Sequence, residues 1–274
     1  MKQENSAKSL SDLANFYESE GKYDEAEALY IQILELTRWV NGDNHTDYAL
    51  HLNCLAEFYF YYEKYDKAEP IFIQGLELKK HLKEDNDLQY ALSLGNLAYI
   101  YKFKGKYEQS ELMYQQALKL TKGIWRDNHP ECIQILKNLG HLHFEQGKYD
   151  KAEPFYIQAL GIKRPQDGDN DEDHVQCFNN LGHLYFKQGK YEQSELMYQQ
   201  ACELTKDAFG EYTREHVDSL KNLANLYFHL GSYNQIEQIY QKLLNIAELY
   251  LGANHSETIT YRNNLKNLQS RSFI

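Results

Sequence analysis

The chain has 274 residues, and its 40 Asp and Glu against 29 Lys and Arg give a formal net charge of −11 at pH 7. This acidic balance argues against nucleic acid as a partner, because proteins that bind nucleic acid usually carry a basic surface. No apolar run approaches the roughly 18 residues that a membrane-crossing helix needs. Residues 1–5 lack the apolar core of a signal peptide, so we expect a cytoplasmic protein that does not bind membranes.

The first predicted elements are two helices. From Leu10 the apolar residues recur three and four positions apart, as on one face of a helix, and the pattern stops at Gly21. A second helix is predicted to begin near Asp24 and to end at Gly42, and a third is predicted to start close to Thr46. The first two helices, called A and B, are expected to form an antiparallel hairpin.

The hairpin pattern returns every 42 residues along the chain. The glycine position that ends helix A reads Gly21, Glu63, Gly105, Gly147, Gly189 and Gly231, and the tyrosine two residues later reads Tyr23, Tyr65, Tyr107, Tyr149, Tyr191 and Tyr233. A fixed period without insertions predicts stacked repeats. We place six repeats at about residues 8–45, 46–87, 88–129, 130–171, 172–213 and 214–255, in a single domain spanning 1–274.

Two further positions on helix A predict how the helices pack. Small residues are expected where helix B crosses closely, because larger side chains would push the helices beyond the usual ~8–10 Å. This small position reads Ala14, Ala56, Ala98, Gly140, Gly182 and Ala224. An apolar position, assigned to packing between successive repeats, reads Phe16, Phe58, Ile100, Leu142, Leu184, Leu226 and Leu268.

The two ends of the array differ. A seventh helix A is predicted at about residues 256–270, with Lys266 at the small position and Gln269 at a tyrosine position, as expected of a cap whose outer face meets water. The first repeat has no such cap. Phe16 is therefore predicted to be covered by another segment of a longer protein or to mediate self-association.

The repeated residues resemble the tetratricopeptide repeat, in the 42-residue variety found in kinesin light chains. The pattern appears as Asn179-Asn180-Leu181-Gly182, as Gly147-Lys148-Tyr149 followed by Ala152-Glu153-Pro154, and as Asp127-Asn128-His129-Pro130. The resemblance covers about residues 8–270. It implies an all-α fold, a right-handed α-solenoid (superhelix) of six hairpins plus a C-terminal capping helix, with a ligand in the concave groove lined by the A helices.

An asparagine position lies on the side of helix A that is predicted to face this groove. It reads Asn96, Asn138, Asn180 and Asn222 in successive copies. A side-chain amide both donates and accepts hydrogen bonds, so a row of them can pair with the backbone of an extended peptide of any sequence. The same amides could equally join neighbouring A helices, and the sequence favours neither interpretation.

Neighbouring positions vary between copies, as expected of positions that select a partner. They include Tyr99, His141, His183 and Asn225 at one position, Lys137, Asn179 and Lys221 at another, and Lys102 and Lys187 close by. The lysines predict a mildly positive groove that favours a segment containing Asp or Glu. A row of Phe60, Phe144, Phe186 and Phe228 could add apolar pockets or merely line a crowded groove.

Patterns typical of enzymes are weak. His141 and His143 diverge by about 200° on a helix, and the acidic run at 167–173 lacks the glycine and final glutamate of a calcium loop. Four scattered cysteines predict reduced thiols. We therefore expect no enzyme activity, metal or cofactor. The predicted function is a protein–protein interaction scaffold; the alternatives are a sensor or regulatory arm of a larger signalling protein and a self-associating structural module.

Overall fold

The computed structural model describes residues 2–84, 88–125, 129–162 and 171–271. Within these ranges the chain forms thirteen helices and no strand. The helices are α1 (Lys2–Ser19), α2 (Tyr23–Asn41), α3 (Thr46–Tyr61), α4 (Tyr65–His81), α5 (Leu88–Phe103), α6 (Tyr107–Trp125), α7 (Pro130–Glu145), α8 (Tyr149–Leu160), α9 (Asp171–Lys187), α10 (Tyr191–Phe209), α11 (Arg214–Leu230), α12 (Tyr233–Tyr250) and α13 (Ser256–Arg271).

Odd-numbered helices are the A helices and even-numbered helices are the B helices. Consecutive helices pack on each other from α1 to α6 and from α8 to α13, as α3 does on α4 and α9 on α10. The prediction of an all-α fold of helical hairpins followed by a final helix is confirmed. One boundary differs, because α1 begins at Lys2 rather than near Leu10. Its first turns consist of polar residues that allow a helix without contributing an apolar pattern.

The chain divides into two compact units, Met1–Asn138 and Leu139–Ile274, with the boundary inside α7. Each unit has its own buried apolar residues. Those of the first include Ile33, Leu52, Phe72 and Ile100, and those of the second include Leu142, Leu181, Leu184 and Leu243.

Each hairpin closes where a small residue on helix A meets helix B. Ala98 is fully buried, and the hydroxyl of Ser110 donates to its carbonyl oxygen at 2.7 Å. The same bond recurs from Ser194 to the carbonyl of Gly182, also at 2.7 Å. A Cβ at Gly182 would lie only 2.6 Å from a ring carbon of Tyr198. Glycine at 182 therefore allows the ring of Tyr198 to pack directly against the backbone of α9.

The apolar position on helix A packs against the preceding repeat, as the sequence predicts. Phe58 is 2% exposed, and its ring centroid lies 5.3 Å from that of Tyr30 on the helix B of the preceding repeat. Phe16 is the exception, with 54% of its surface exposed. Self-association of the protein through Phe16 stays a prediction.

A hydrogen bond between tyrosine and glutamate accompanies this packing, and we call it the Tyr–Glu contact. A tyrosine hydroxyl on helix A donates to a glutamate on the helix B of the preceding repeat. The pairs are Tyr59 with Glu27 at 2.9 Å, Tyr185 with Glu153 at 2.7 Å and Tyr227 with Glu195 at 2.7 Å. On α13 the amide of Gln269 donates to Glu237 at 2.9 Å, so the final helix keeps the contact.

Glu27 lies in the most strongly charged of these contacts. Lys67 and Lys64 approach its carboxylate to 2.7 and 2.9 Å, and its side chain is 17% exposed. The hydrogen bond from Lys67, followed by those from Lys64 and Tyr59, overcomes the cost of burial and lowers the pKa of Glu27 to about 2. Because this pKa is depressed, the contribution to stability is present above about pH 4.5 and is lost as the pH falls towards 2.

We expect Glu27→Gln to lower the free energy of unfolding at pH 7 by about 1–3 kcal/mol, because it removes the charge from hydrogen bonds that two ammonium groups donate. The difference in melting temperature from the wild type should shrink as the pH is lowered from about 4.5 to 2, where Glu27 becomes neutral. Glu25→Gln, an exposed change on the same helix, is the control. A difference that does not change with pH would contradict this account.

We expect Gly182→Ala to destabilise the protein by about 1–3 kcal/mol, because the added methyl group collides with the Tyr198 ring. Gly95→Ala on α5 is the matched control, since no atom lies within 4 Å of a Cβ placed there. Its better helix propensity should raise stability by up to about 1 kcal/mol. Urea denaturation followed by circular dichroism measures both, and a neutral Gly182→Ala would show that the ring moves aside freely.

Candidate peptide-binding face

The candidate site lies on the A-helix face, by which we mean the side of the odd-numbered helices that points away from their hairpin partners. The first unit contributes α3, α5 and residues 130–138 of α7, and the second contributes residues 139–145 of α7, α9 and α11. The predicted site residues are divided between these two surfaces.

In the first unit, three predicted residues line one cavity of about 410 Å³. They are Asn96 and Tyr99 on α5 and Asn138 on α7. Aromatic rings form much of the remaining wall. The ring centroid of Phe60 lies 5.5 Å from that of Tyr99, and Tyr65 lies 6.1 Å from Tyr99. The structure thus places side-chain amides next to an aromatic wall, which suits an extended chain with one apolar or flat side chain.

Two lysines predicted on this surface are placed differently. The ammonium of Lys102 lies 5.0 Å from the ring centroid of Tyr99, a cation–π distance. Lys137 is only 8% exposed, which corrects the prediction that it is an open selecting position. The equivalent Asn53 shows why, because it is fully buried and donates to Ser93 on the next A helix at 2.6 Å. This position faces a neighbouring helix.

In the second unit, the predicted residues of α9 and α11 lie along one surface. His183, Lys187 and Asn225 are exposed, whereas Asn180 is half-buried. The ring of Phe144 packs on His183 with centroids 5.1 Å apart. Partial burial, together with the charge of Lys187, lowers the pKa of His183 below its ordinary value. At neutral pH the positive charge here therefore comes from Lys187.

Carboxylates reduce the predicted positive character of this surface. Lys221 lies 3.4 Å from a carboxylate oxygen of Asp218 and 3.4 Å from one of Glu257. His141 lies 3.2 Å from a carboxylate oxygen of Glu145. In the described part of the chain no ion pair involves Lys187. Of the two predicted lysines on this surface, Lys221 is paired with carboxylates and Lys187 carries the exposed positive charge.

The asparagine position combines both roles that the sequence left open. Asn222 donates to the side-chain oxygen of Asn179 on the preceding A helix at 3.1 Å, which is the structural role. Asn138 accepts from Gln134 at 3.4 Å, a contact within its own helix. Asn96 and Asn180 make no side-chain hydrogen bond to any other described residue. Those two amides keep their donors and acceptors available to a ligand.

The described residues offer little that is typical of a metal site or a membrane-spanning helix. Over the described residues, no group of three or more His, Cys, Asp or Glu side chains is placed to hold a metal ion. The four cysteines are free thiols. None of the helices in the described ranges combines the length and the apolar character needed to cross a membrane. Most of the acidic run at 167–173, and Asp127 and Asn128 of the connector, lie outside the described residues.

Comparison with known proteins agrees with this fold. A family model described as tetratricopeptide repeat matches residues 47–122, 131–207 and 216–272, and a second model of the same description matches residues 6–47. Together they cover most of the chain. No curated protein matches the chain significantly.

Solved structures with the same fold share little sequence with this chain. BtubC (BKLC) from P. vanneervenii is 19% identical with a TM-score of 0.63, covering 93% of this chain and 95% of that one. A putative kinesin light chain from Podosopora anserina is 17% identical with a TM-score of 0.64, covering 76% and 98%. A STAND signal-transduction ATPase from Pyrococcus horikoshii, with a tetratricopeptide repeat sensor, is 15% identical with a TM-score of 0.73. The alignment covers 98% of this chain and 39% of that protein. The resemblance to tetratricopeptide repeats of the kinesin-light-chain type is confirmed.

Sequence reasoning missed the turn between α3 and α4. Tyr61, Glu63 and Tyr65 all line the cavity of the first unit, yet none of them was among the predicted site residues. The signal that could have indicated this turn is the departure at Glu63 from a glycine that every other repeat keeps.

The structure predicts different outcomes for two asparagines at equivalent positions. Asn222→Ala should lower the free energy of unfolding by about 0.5–1.5 kcal/mol, because Asn179 loses its half-buried partner. Asn180→Ala should leave stability nearly unchanged, since its amide has no hydrogen bond to lose among the described residues. Urea denaturation of the two variants measures the difference. Equal losses would contradict the separation of roles.

Proposed function

We propose, since the chain belongs to the tetratricopeptide repeat family, that it is a non-enzymatic interaction scaffold that holds an extended protein segment on the A-helix face. The family fold is typically an interaction module. The observation that supports the finer statement is the pair of available amides, Asn96 and Asn180, each half-buried on an A helix. An amide in this position can donate to and accept from a peptide backbone.

The cavity of the first unit supports the same mode of binding. An extended segment presents backbone groups along its length and side chains alternately to either side. Asn96 and Asn138 would pair with the backbone, while the aromatic wall at Tyr99 receives one side chain. The A helices are already held by their hairpin partners, so most of the ordering cost of binding is borne by the segment.

The second unit supports an acidic residue in the bound segment. Lys187 is exposed beside His183, and a carboxylate placed there would gain a charge-assisted hydrogen bond. Because Lys221 and His141 are paired with carboxylates of the chain itself, we propose Lys187 as the residue that selects for Asp or Glu on this surface.

A cytoplasmic location is part of this proposal and is supported by the free state of all four cysteines. A sensor arm of a larger signalling protein is the second candidate. It is favoured by the similarity of almost the whole chain to a signal-transduction ATPase that has a tetratricopeptide repeat sensor and is much longer than this chain. Both candidates use the A-helix face to hold a segment.

Selection from a random peptide library displayed on phage tests the proposal. The purified chain should enrich extended peptides, and Asn96→Ala with Asn138→Ala, both in the cavity of the first unit, should weaken binding of an enriched peptide by about tenfold or more, because two backbone hydrogen bonds are lost. The melting temperature should change little. Fluorescence anisotropy measures the affinity.

Asn234→Ala, an exposed change on the B helix α12, is the matched control and should bind as the wild type does. The proposal is wrong if no peptide is enriched above the background of the empty support. It is also wrong if the double asparagine variant binds as tightly as the control.

A further inference from the structure

Glu63 adopts a backbone conformation that disfavours it. Its φ of +56° lies in the left-handed region, which glycine enters freely and other residues enter only at a cost. The other five repeats have glycine here, with φ between +68° and +73°. Strain that a simple glycine would relieve is a reason to look for a function of the side chain.

The position of Glu63 suggests such a function. It lines the cavity of the first unit together with Tyr65, Tyr99 and a second carboxylate, that of Glu131. Burial, together with the neighbouring Tyr99 and Glu63, raises the pKa of Tyr65 to about 12. The side chain of Glu63 therefore shares a cavity wall with the ring of Tyr65.

The chemistry of this cavity is that of a site for a cation. Its walls hold the rings of Phe60, Tyr61, Tyr65 and Tyr99 and the two carboxylates, and no Lys, Arg or His among the described residues lines it. Aromatic rings attract ammonium and guanidinium groups through their negative faces, and carboxylates form short, strong bonds with the same groups. Tyr99 already lies at cation–π distance from Lys102, which is outside the cavity lining.

We propose that this cavity binds an arginine or lysine side chain of the bound segment. The inference rests on the proposed function, because the basic side chain belongs to the segment held on the A-helix face. The cavity volume of about 410 Å³ is sufficient for one long side chain with its bound water. Glu63 and Glu131 neutralise the charged group, and the rings of Phe60 and Tyr65 cover its aliphatic stem.

Synthetic ten-residue peptide pools test this inference. Each pool is degenerate except for one central residue, fixed as Arg, as Gln or as Glu, and carries a fluorescent label for anisotropy. The Arg pool should bind the wild-type chain about fivefold to tenfold tighter than the Gln pool, and the advantage should fall as salt is raised.

Glu63→Gly separates binding from stability. The variant should lose most of the preference for the Arg pool and should at the same time melt at a higher temperature, because the backbone strain is relieved. Lys83→Gly is the matched control. Lys83 also has a positive φ, of +60°, but it does not line the cavity. The Lys83→Gly variant should gain stability and keep the preference for the Arg pool. Glu131→Gln should weaken this preference without changing the backbone of the turn at Glu63.

The outcomes distinguish this inference from the proposed function. Equal binding of the Arg and Gln pools, or a Glu63→Gly variant that keeps the full preference, overturns the cationic pocket and leaves peptide binding intact. Tighter binding of the Glu pool to this unit, lost in Glu63→Gly, also overturns it. If none of the three pools binds, the proposed function fails and the inference fails with it.

Discussion

The constraint on which the rest of the array depends is that helix A of one repeat must pack on the preceding repeat, and the Tyr–Glu contact fixes this packing for α3, α9 and α11. A hairpin buries one side of its helices internally, but its helix A must also be held by the preceding repeat. A buried tyrosine needs a partner for its hydroxyl, and the glutamate of the preceding helix B supplies it in the pairs of Tyr185 with Glu153 and Tyr227 with Glu195. Burial, together with the glutamate, raises the pKa of Tyr185 to about 12. The phenol therefore stays protonated and keeps donating, and the final helix retains the contact through Gln269.

This contact also decides which residues are left for a ligand. Because the tyrosine position of each A helix is directed at the preceding repeat, the residues on the opposite side of the helix remain on the surface. His183 and Asn225 are exposed for this reason. The same geometry brings the asparagine position close to a neighbouring A helix, where Asn222 and Asn179 bond to each other. One row of equivalent residues thus contains both structural and available amides.

The sequence was sufficient for the parts of the fold that depend on a single chain segment. Period, glycine and small-residue positions predicted the helices, the hairpins and the final helix. The sequence was insufficient where the exposure or the pairing of a side chain depends on a neighbouring repeat. Helical angles placed Lys137 on the open face, yet it is 8% exposed, because an angle gives a direction but not the distance to the next helix. The pairing of Lys221 with Glu257 likewise depends on the relative placement of α11 and α13.

Specificity in such an array arises from departures from the repeat, since identical repeats offer identical surfaces. Within the first unit the departure is Glu63, which adds a carboxylate to an aromatic cavity at the cost of backbone strain. Within the second it is Lys187, an exposed cation on a helix face where Lys221 is neutralised. Each unit therefore has its own charged departure, a carboxylate in the first and an ammonium group in the second. In the function we propose, repetition supplies the scaffold and the backbone contacts, and these exceptions supply the choice of partner.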